Sequence, residues 1–101
     1  MLDLGDAASV VTDVHFARWG NEITVSCLYD PLVSTKPYQL RFTDCRAMRW
    51  EITQPEDAKD TAADLIGFIA GQGAHQQAAV ITTDIFELSV FYGSLVVQKD
   101  W

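Results

Sequence analysis

Two carboxylates in the last quarter of the chain, Asp84 and Glu87, are the side chains best spaced for acid–base chemistry. Such chemistry requires an environment that separates the pKa values of the two groups. Asp84 stands between Ile81-Thr82-Thr83 and Ile85-Phe86, so we expect it at an irregularity in apolar surroundings. A carboxylate in that position commonly accepts hydrogen bonds from backbone N–H groups or pairs with an arginine. We therefore keep both residues as a candidate polar site and predict no catalytic residue.

The other residues capable of chemistry lack the spacing of a nucleophile, metal or phosphate site. Cys27 and Cys45 lie far apart in the sequence, and so do His15 and His75. Gly71-Gln72-Gly73 is not followed by lysine and does not extend to a GxGxxG pattern, which indicates a turn. The sequence predicts two buried free thiols, no metal site and no cofactor. It also predicts that the chain is not an enzyme.

The basic residues are unevenly distributed. Four of the seven lie close together, at Lys36, Arg41, Arg46 and Arg49, and an acidic stretch over 51–64 follows them. Either these cations pair with the acids on neighbouring strands, or an arginine face meets an acidic partner. The second interpretation makes Arg41 and Arg49 candidate interaction residues. Their replacement should then leave thermal stability nearly unchanged, because exposed ion pairs contribute little stability.

The aromatic residues provide a second candidate contact patch. Trp19 is expected to point away from Phe16, on the side of the chain that carries His15, and Trp101 is expected at the edge of a hairpin. Exposed apolar groups that lie together commonly mark contact sites. Trp19, His15 and Trp101 are therefore candidate interaction residues. Three other large residues are expected in the core: Phe42, Met48 and Trp50.

The elements that position these residues are mostly strands. Over 10–30, two segments of alternating apolar and polar residues flank Gly20-Asn21, which is typical of a two-residue hairpin turn. This hairpin would place Phe16 opposite Val25 and all the apolar side chains on one face.

A third strand follows, with Tyr38, Leu40 and Phe42 facing inward. Its alternation is interrupted at Asp44-Cys45-Arg46 and resumes over 48–52, which indicates a β-bulge or a tight corner.

Two interpretations of the segment 54–70 remain open. Thr53-Gln54-Pro55-Glu56 is typical of a helix start. One helix could run over 54–70, or a short helix over 55–60 could be followed by a strand from Asp64 to Ala70. Gly67 lies inside the segment and disfavours a continuous helix.

The C-terminal part is expected to be strand throughout. Residues 79–85 are predicted as a strand, the alternation continues from Phe86, and Gly93-Ser94 suggests a second two-residue hairpin. That hairpin would place Phe86 opposite Trp101 and Glu87 opposite Asp100.

The predicted fold is mainly β: a strongly bent antiparallel sheet, half-barrel or small sandwich of six to seven strands with one short helix. The alternative is an α+β fold with a helix over 54–70. Residues 1–101 would form a single domain, since 101 residues can bury one core.

Composition excludes several classes of protein. Fourteen acidic and seven basic residues give a net charge of −7, which argues against nucleic-acid binding, because phosphate contacts require clustered cations. The first eleven residues carry Asp3 and Asp6 and lack the basic start of a secretory signal. The apolar run 65–71 is shorter than a membrane span. We therefore expect a cytoplasmic protein that contacts neither nucleic acid nor membrane.

Part of the strand pattern resembles that of known proteins. The segments Tyr38-Gln39-Leu40-Arg41-Phe42 and Met48-Arg49-Trp50-Glu51, with Cys45 between them, are similar to a strand–corner–strand unit of small uncharacterised bacterial domains. Some of those domains are proposed immunity proteins to secreted toxins. The tail, from Thr83-Asp84-Ile85-Phe86-Glu87 to Lys99-Asp100-Trp101, resembles the C-terminal hairpin of cyanobacterial-type proteins. The resemblance covers 10–30 and 38–101, implies an antiparallel β domain with a strand at 64–70, and carries no catalytic residues.

Two functions are consistent with these patterns. The first is a protein-interaction domain that self-associates, expected to be a homodimer, because open sheet edges and exposed aromatics need a partner. A narrower version is an acidic neutraliser of a basic protein partner, whose encounter the net charge would steer. The alternative is a small-ligand-binding domain that uses the concave face of the sheet, with Trp50, Phe86 and Arg49 at its mouth.

Overall fold

The computed structural model describes residues 8–55 and 62–99, and nearly all of this part of the chain is strand or turn. Alternating apolar and polar residues set each strand, because successive side chains of a strand point to opposite faces of a sheet. The strands are β1 (Ser9–Ala17), β2 (Glu22–Tyr29), β3 (Lys36–Thr43), β4 (Ala47–Ile52), β5 (Ala63–Ile69), β6 (Ala79–Thr83), β7 (Phe86–Phe91) and β8 (Ser94–Lys99).

All eight strands belong to one antiparallel sheet in the order β4-β7-β6-β5-β1-β2-β3-β8. The strand β5 joins its two halves. Its first residues pair with the start of β1 at Ala63 and Val11, and the rest of β5 pairs with β6. Within the pairing with β6, a bulge at Ile66 shifts the register between Leu65 and Gly67. The mainly β, antiparallel prediction is therefore confirmed, whereas the predicted count of six to seven strands is too low.

The apolar core lies between the two halves of the sheet. The largest fully buried side chains come from both of them, with Ile23, Val25, Cys27, Leu40 and Phe42 from one half and Ile81, Leu88 and Val90 from the other. Two aromatic pairs connect the halves. Phe16 of β1 lies 6.1 Å from Trp50 of β4, and Phe42 of β3 lies 5.2 Å from Tyr92, measured between ring centroids. The sheet therefore bends so that its two halves pack against each other.

The sequence predicted too few strands because it did not indicate the turn between β6 and β7. The sequence was expected to continue as strand through this region, but the chain reverses at Asp84-Ile85. The Thr83 hydroxyl accepts hydrogen bonds from the backbone N–H groups of Ile85 and Phe86, at 3.1 and 2.9 Å, and donates to the Phe86 carbonyl at 3.0 Å. A buried threonine side chain thus forms the turn, in the absence of the glycine or asparagine that usually indicates one.

The predicted C-terminal hairpin is wrong. β7 pairs with β4 and β6, whereas β8 pairs with β3 at the other end of the sheet. Gly93 is a crossover point at which the backbone N–H donates to the carbonyl of Thr43, 3.0 Å away. Side chains cannot fit there, because a Cβ on Gly93 would lie 2.9 Å from that of Asp44. The predicted pairings to Asp100 and Trp101 involve residues outside the described ranges.

The first hairpin forms with a different register. Phe16 pairs with Ile23 rather than Val25, because the loop has four residues instead of two. Arg18 and Trp19 adopt positive φ angles of 53° and 64°, in a short 3-10 turn over Arg18–Gly20. From Asp13 to Ala17 the shift is two residues, so these side chains remain on the predicted faces, and a bulge between Val11 and Asp13 changes the register before them.

The segment 54–70 contains a strand where a helix was the alternative. β5 covers Ala63–Ile69, so a helix over 54–70 is excluded for those residues. Residues 56–60 of the predicted short helix over 55–60 lie outside the described residues. No helix within 8–55 or 62–99 is long and apolar enough to cross a membrane.

Candidate functional site

The strand β4 is the most exposed strand of the described sheet, since all six of its residues are exposed. Its alternation places three apolar side chains on the inner side, opposite the buried residues of β7. Met48, Trp50 and Ile52 nevertheless remain 46%, 41% and 45% exposed. Met48 and Trp50 were expected in the core from the alternation of the sequence. That alternation identified their face correctly, but their strand lies at the end of the sheet, where no neighbour covers it.

The backbone of β4 also has an open edge. The N–H of Thr53 donates to the carbonyl of Ile85 at 2.7 Å, which continues the register between β4 and β7. In an antiparallel ladder, hydrogen-bonding pairs alternate with non-hydrogen-bonding pairs. The N–H and C=O groups of Met48, Trp50 and Ile52 therefore point away from β7. No strand in 8–55 or 62–99 pairs with them.

An aromatic stack supports the apolar side of β4. The Trp50 ring lies parallel to the Phe86 ring, with centroids 4.5 Å apart and an interplanar angle of 22°. Phe16 approaches the same tryptophan edge-on at 87°, and Phe16 is itself 38% exposed. We call Phe16, Met48, Trp50 and Ile52 the β4 apolar surface. Offset and edge-to-face aromatic contacts fix ring orientation, so this surface is held in a defined shape.

A groove runs between β4 and the second half of β1. It has a volume of about 360 Å³ and is lined mainly by apolar groups, among them Val14, Phe16, Trp50, Ile52 and Phe86. This volume lies near the lower limit for small-ligand pockets. The groove also borders two strand edges, because only the first residues of β1 pair with β5 in the described sheet.

The outer side of β4 carries opposite charges. The Arg49 guanidinium lies 3.4 Å from the Glu51 carboxylate two residues along the strand, and both groups are exposed. Glu51 stands directly opposite Glu87 of β7, so the two acidic residues form a like-charge cross-strand pair. The Arg49 side chain therefore points to solvent on the outer face of β4, opposite the face that lines the groove.

The predicted interaction residues fall into separate places. His15 and Arg41 share one row on the outer face of the other half of the sheet, since both stand opposite Thr24 of β2. The Arg41 guanidinium donates to the Gln98 side-chain oxygen at 3.2 Å. Trp19 is fully exposed at the tip of the first hairpin. Trp101 lies outside the described residues, and Arg49 is on the opposite half of the sheet.

The two candidate polar residues, Asp84 and Glu87, have different surroundings. An Asp84 oxygen accepts a hydrogen bond from the backbone N–H of Asp64 at 2.8 Å, while the Asp84 N–H donates to the Asp64 carbonyl at 3.1 Å. Asp84 thus ties the turn after β6 to the start of β5. Glu87 points outward from β7 and is exposed. The carboxylate of Asp84 therefore serves the backbone, as the sequence suggested it would.

Both cysteines are buried and free, as predicted. Burial raises the pKa of the Cys27 thiol to about 11, although its contact with Tyr38 opposes the shift. Burial also raises the pKa of Cys45. A thiol that stays protonated at neutral pH is a poor nucleophile and a poor metal ligand. No group of three potential metal-ligating side chains occurs within the described part of the chain.

His75 is largely buried, although it lies in the loop between β5 and β6. Its side chain is only 20% exposed, and its Nε2 lies 2.7 Å from the backbone carbonyl oxygen of Asp44 and 3.5 Å from that residue's carboxylate. The imidazole therefore connects the loop before β6 to the corner between β3 and β4, which makes it a structural residue.

Comparison with known proteins adds a relative of the fold. No protein-family model and no curated protein matches the sequence. The crystal structure of an uncharacterised protein from Neisseria gonorrhoeae is similar, with a TM-score of 0.52 and 13% sequence identity. The similarity covers 96% of this chain and 95% of that one. This likeness shows the fold alone. The assignment of a function therefore rests on the geometry of this chain.

Proposed function

We propose that the chain is a protein-interaction domain that acts by self-association rather than by catalysis, and that it makes this contact through β4. The observation that carries the proposal is the β4 apolar surface, beside a backbone edge with unused hydrogen-bonding groups. Proteins usually protect exposed edge strands with lysine, proline or short length. β4 has six residues, contains no lysine or proline, and alternates Met48, Trp50 and Ile52 on its inner side. Such an edge is suited to pairing with another strand.

The distribution of charge favours this surface over a contact driven by net charge. The described residues contain eight of the fourteen acidic and six of the seven basic residues, so the surplus of acid lies mainly in 1–7, 56–61 and 100–101. The narrower proposal, an acidic neutraliser of a basic protein, would depend on those segments. It predicts that association with a basic protein such as lysozyme weakens steeply as salt rises. Absence of any salt-dependent association would contradict it.

Sedimentation velocity over a range of concentrations tests self-association. The wild-type chain should convert from a monomer to a species of twice its mass as concentration rises through the micromolar range. Met48→Lys should weaken this association at least about tenfold, because it places a charge on the open edge. The monomer should keep its fold, since this side chain is nearly half exposed.

Val96→Lys provides the matched control. Val96 is a 55% exposed apolar residue on β8, at the opposite end of the sheet. This variant should associate like the wild type. A wild-type chain that remains monomeric at several hundred micromolar would contradict the proposed function, and equal effects of the two lysine substitutions would remove β4 from it.

The groove supports a second candidate function, the binding of a small apolar ligand. Its volume of about 360 Å³ and its lining by Phe16, Trp50 and Phe86 are the observations in favour. Titration of the monomeric Met48→Lys variant with an anilinonaphthalene sulfonate probe should then give saturable fluorescence at one probe per chain. Adding Phe16→Ala should abolish it, whereas Phe91→Ala, at a similarly exposed phenylalanine on the outer face of β7, should not. Unsaturable or absent fluorescence would rule out this function.

A further inference from the structure

We infer that two copies of the chain pair through antiparallel β4 strands, related by a twofold axis at Trp50. This inference rests on the proposed self-association and specifies its register. In this arrangement Trp50 stands opposite Trp50 of the partner subunit, Met48 stands opposite the partner's Ile52, and Arg49 stands opposite the partner's Glu51. The two sheets would then continue into each other across the dimer.

The charge pattern of β4 carries the argument. Two antiparallel copies of a strand place residues opposite each other whose numbers have a constant sum, because the twofold axis reverses the direction of the chain. With the axis at Trp50, each Arg49 meets Glu51 of the partner subunit, and this contact occurs twice. Opposite charges directly across an antiparallel pair are stabilising, and like charges are destabilising.

Other registers lose this complementarity. If the twofold axis were at Arg49, each Arg49 would stand opposite the partner's Arg49. If the axis were at Glu51, each Glu51 would stand opposite the partner's Glu51. Both alternatives create a like-charge pair at the centre of the interface. A register shift by an odd number of residues would place an inner side chain of one β4 strand opposite an outer side chain of the other. The β4 apolar surfaces of the two chains would then no longer be continuous. Only the axis at Trp50 satisfies both conditions.

The backbone of β4 is consistent with this register. The N–H and C=O groups of Met48, Trp50 and Ile52 point toward the open edge, as the Thr53–Ile85 hydrogen bond requires. Two Trp50 residues can therefore exchange hydrogen bonds, as can each Met48 and the partner's Ile52. Arg49 and the partner's Glu51 then occupy a non-hydrogen-bonding pair, where opposite side chains lie closest.

In the monomer, Arg49 and Glu51 are exposed and can pair with a second chain. The side chains of Arg49 and Glu51 are 80% and 55% exposed, and their mutual contact of 3.4 Å is an exposed ion pair that contributes little stability. Dimerisation exchanges one such contact in each chain for two contacts between the chains, so this exchange costs little. In the new arrangement Glu51 keeps a cation beside it, the partner's Arg49, which offsets its like-charge neighbour Glu87.

The other end of the sheet does not have this pattern. β8 contains a single charged residue, Lys99, so no antiparallel pairing of two β8 strands can form reciprocal ion pairs. The Arg41 guanidinium additionally contacts Gln98 on the outer face of β8. β4 is therefore the edge whose chemistry is complementary to a second copy of itself.

Charge reversal followed by mixing tests the register. R49E alone makes all four facing charges negative, and E51R alone makes them all positive, so each variant should dimerise at least about tenfold more weakly than the wild type. The double variant R49E/E51R exchanges the charges and should recover dimerisation. A mixture of the two single variants restores opposite charges at every contact, so native mass spectrometry should show heterodimer well above the statistical half.

R41E and D64R are the matched controls, because they make the same changes in charge at exposed residues of β3 and β5, outside β4 and outside the lining of the groove. Each should dimerise like the wild type, and their mixture should give the statistical half of heterodimer. A wild-type dimer that is insensitive to R49E and E51R would overturn the register while leaving self-association intact. A wild-type monomer at all concentrations would overturn the proposed function together with the register.

Discussion

β4 and β7 are adjacent, paired in register and similarly apolar on their inner sides, yet they differ sharply in burial. Leu88 and Val90 of β7 are fully buried, while their cross-strand neighbours Trp50 and Met48 are more than 40% exposed. The core therefore ends between two neighbouring strands. The monomer closes its interior with the side chains of β7, and the apolar side chains of β4 remain as surface. This difference indicates that the inner side of β4 is suited to a partner rather than to the fold of one chain.

The largest expected effect is that of truncation on the buried side of this pair. Leu88→Ala should lower the free energy of unfolding by about 2–5 kcal/mol, because it removes a fully buried side chain and leaves a cavity. Met48→Ala should cost about 1 kcal/mol or less, since that side chain is already in contact with water. Both changes are measured by denaturant unfolding in the R49E background, where the chain is expected to be monomeric. Equal costs would show that β4 belongs to the core.

An intermediate effect is expected at the turn that begins β7. Thr83→Val should destabilise the chain by about 1–3 kcal/mol, because the buried N–H groups of Ile85 and Phe86 lose their acceptor without a change in side-chain shape. The matched control Thr82→Val lies on the outer face of the same strand and should change stability by about 0.5 kcal/mol or less. Thermal unfolding compares the two variants. If Thr83→Val were neutral, the threonine would not be what forms the turn.

The sequence predicted the parts of the fold that depend on alternation. Tyr38, Leu40 and Phe42 face inward as expected, and β5 is a strand as favoured over the helix. Alternation depends on the side-chain period of two, which a single strand reveals by itself. The same alternation correctly placed Met48 and Trp50 on the inner side of β4. It does not reveal whether a strand has one neighbour or two, so the exposure of β4 could not be predicted.

The errors arise where turns determine pairing. Gly93-Ser94 has the composition of a hairpin turn, but there the chain crosses from β7 to the other end of the sheet. Turn composition predicts a change of direction and does not specify which strands pair. The reversal at Asp84-Ile85 was missed because the Thr83 side chain forms it. In the first hairpin, Trp19 adopts a left-handed conformation that is uncommon for a bulky residue, which lengthens the loop by two residues.

The candidate site was predicted only in part, because alternation gives the face of a side chain but not the position of its strand in the sheet. Trp50 and Phe86 were placed at the mouth of a concave surface, and both line the groove. Arg49 was placed there too, but it points to the opposite face, since it alternates with Trp50 along β4. Arg49 and Glu51 can be recognised as complementary to a second copy of β4 only when β4 is known to be an edge strand. The three-dimensional position of a strand, rather than its composition, makes its charges available.

Amide hydrogen exchange measured by NMR at low and high protein concentration tests the central claim most directly. In the monomer, the N–H groups of Met48, Trp50 and Ile52 face the open edge and should exchange rapidly, whereas those of Arg49 and Glu51 donate to β7 and should be protected. At concentrations where the dimer dominates, the first three amides should become protected and the other two should change little. Rapid exchange of the Met48, Trp50 and Ile52 amides at every concentration would contradict the pairing of β4 with a second copy.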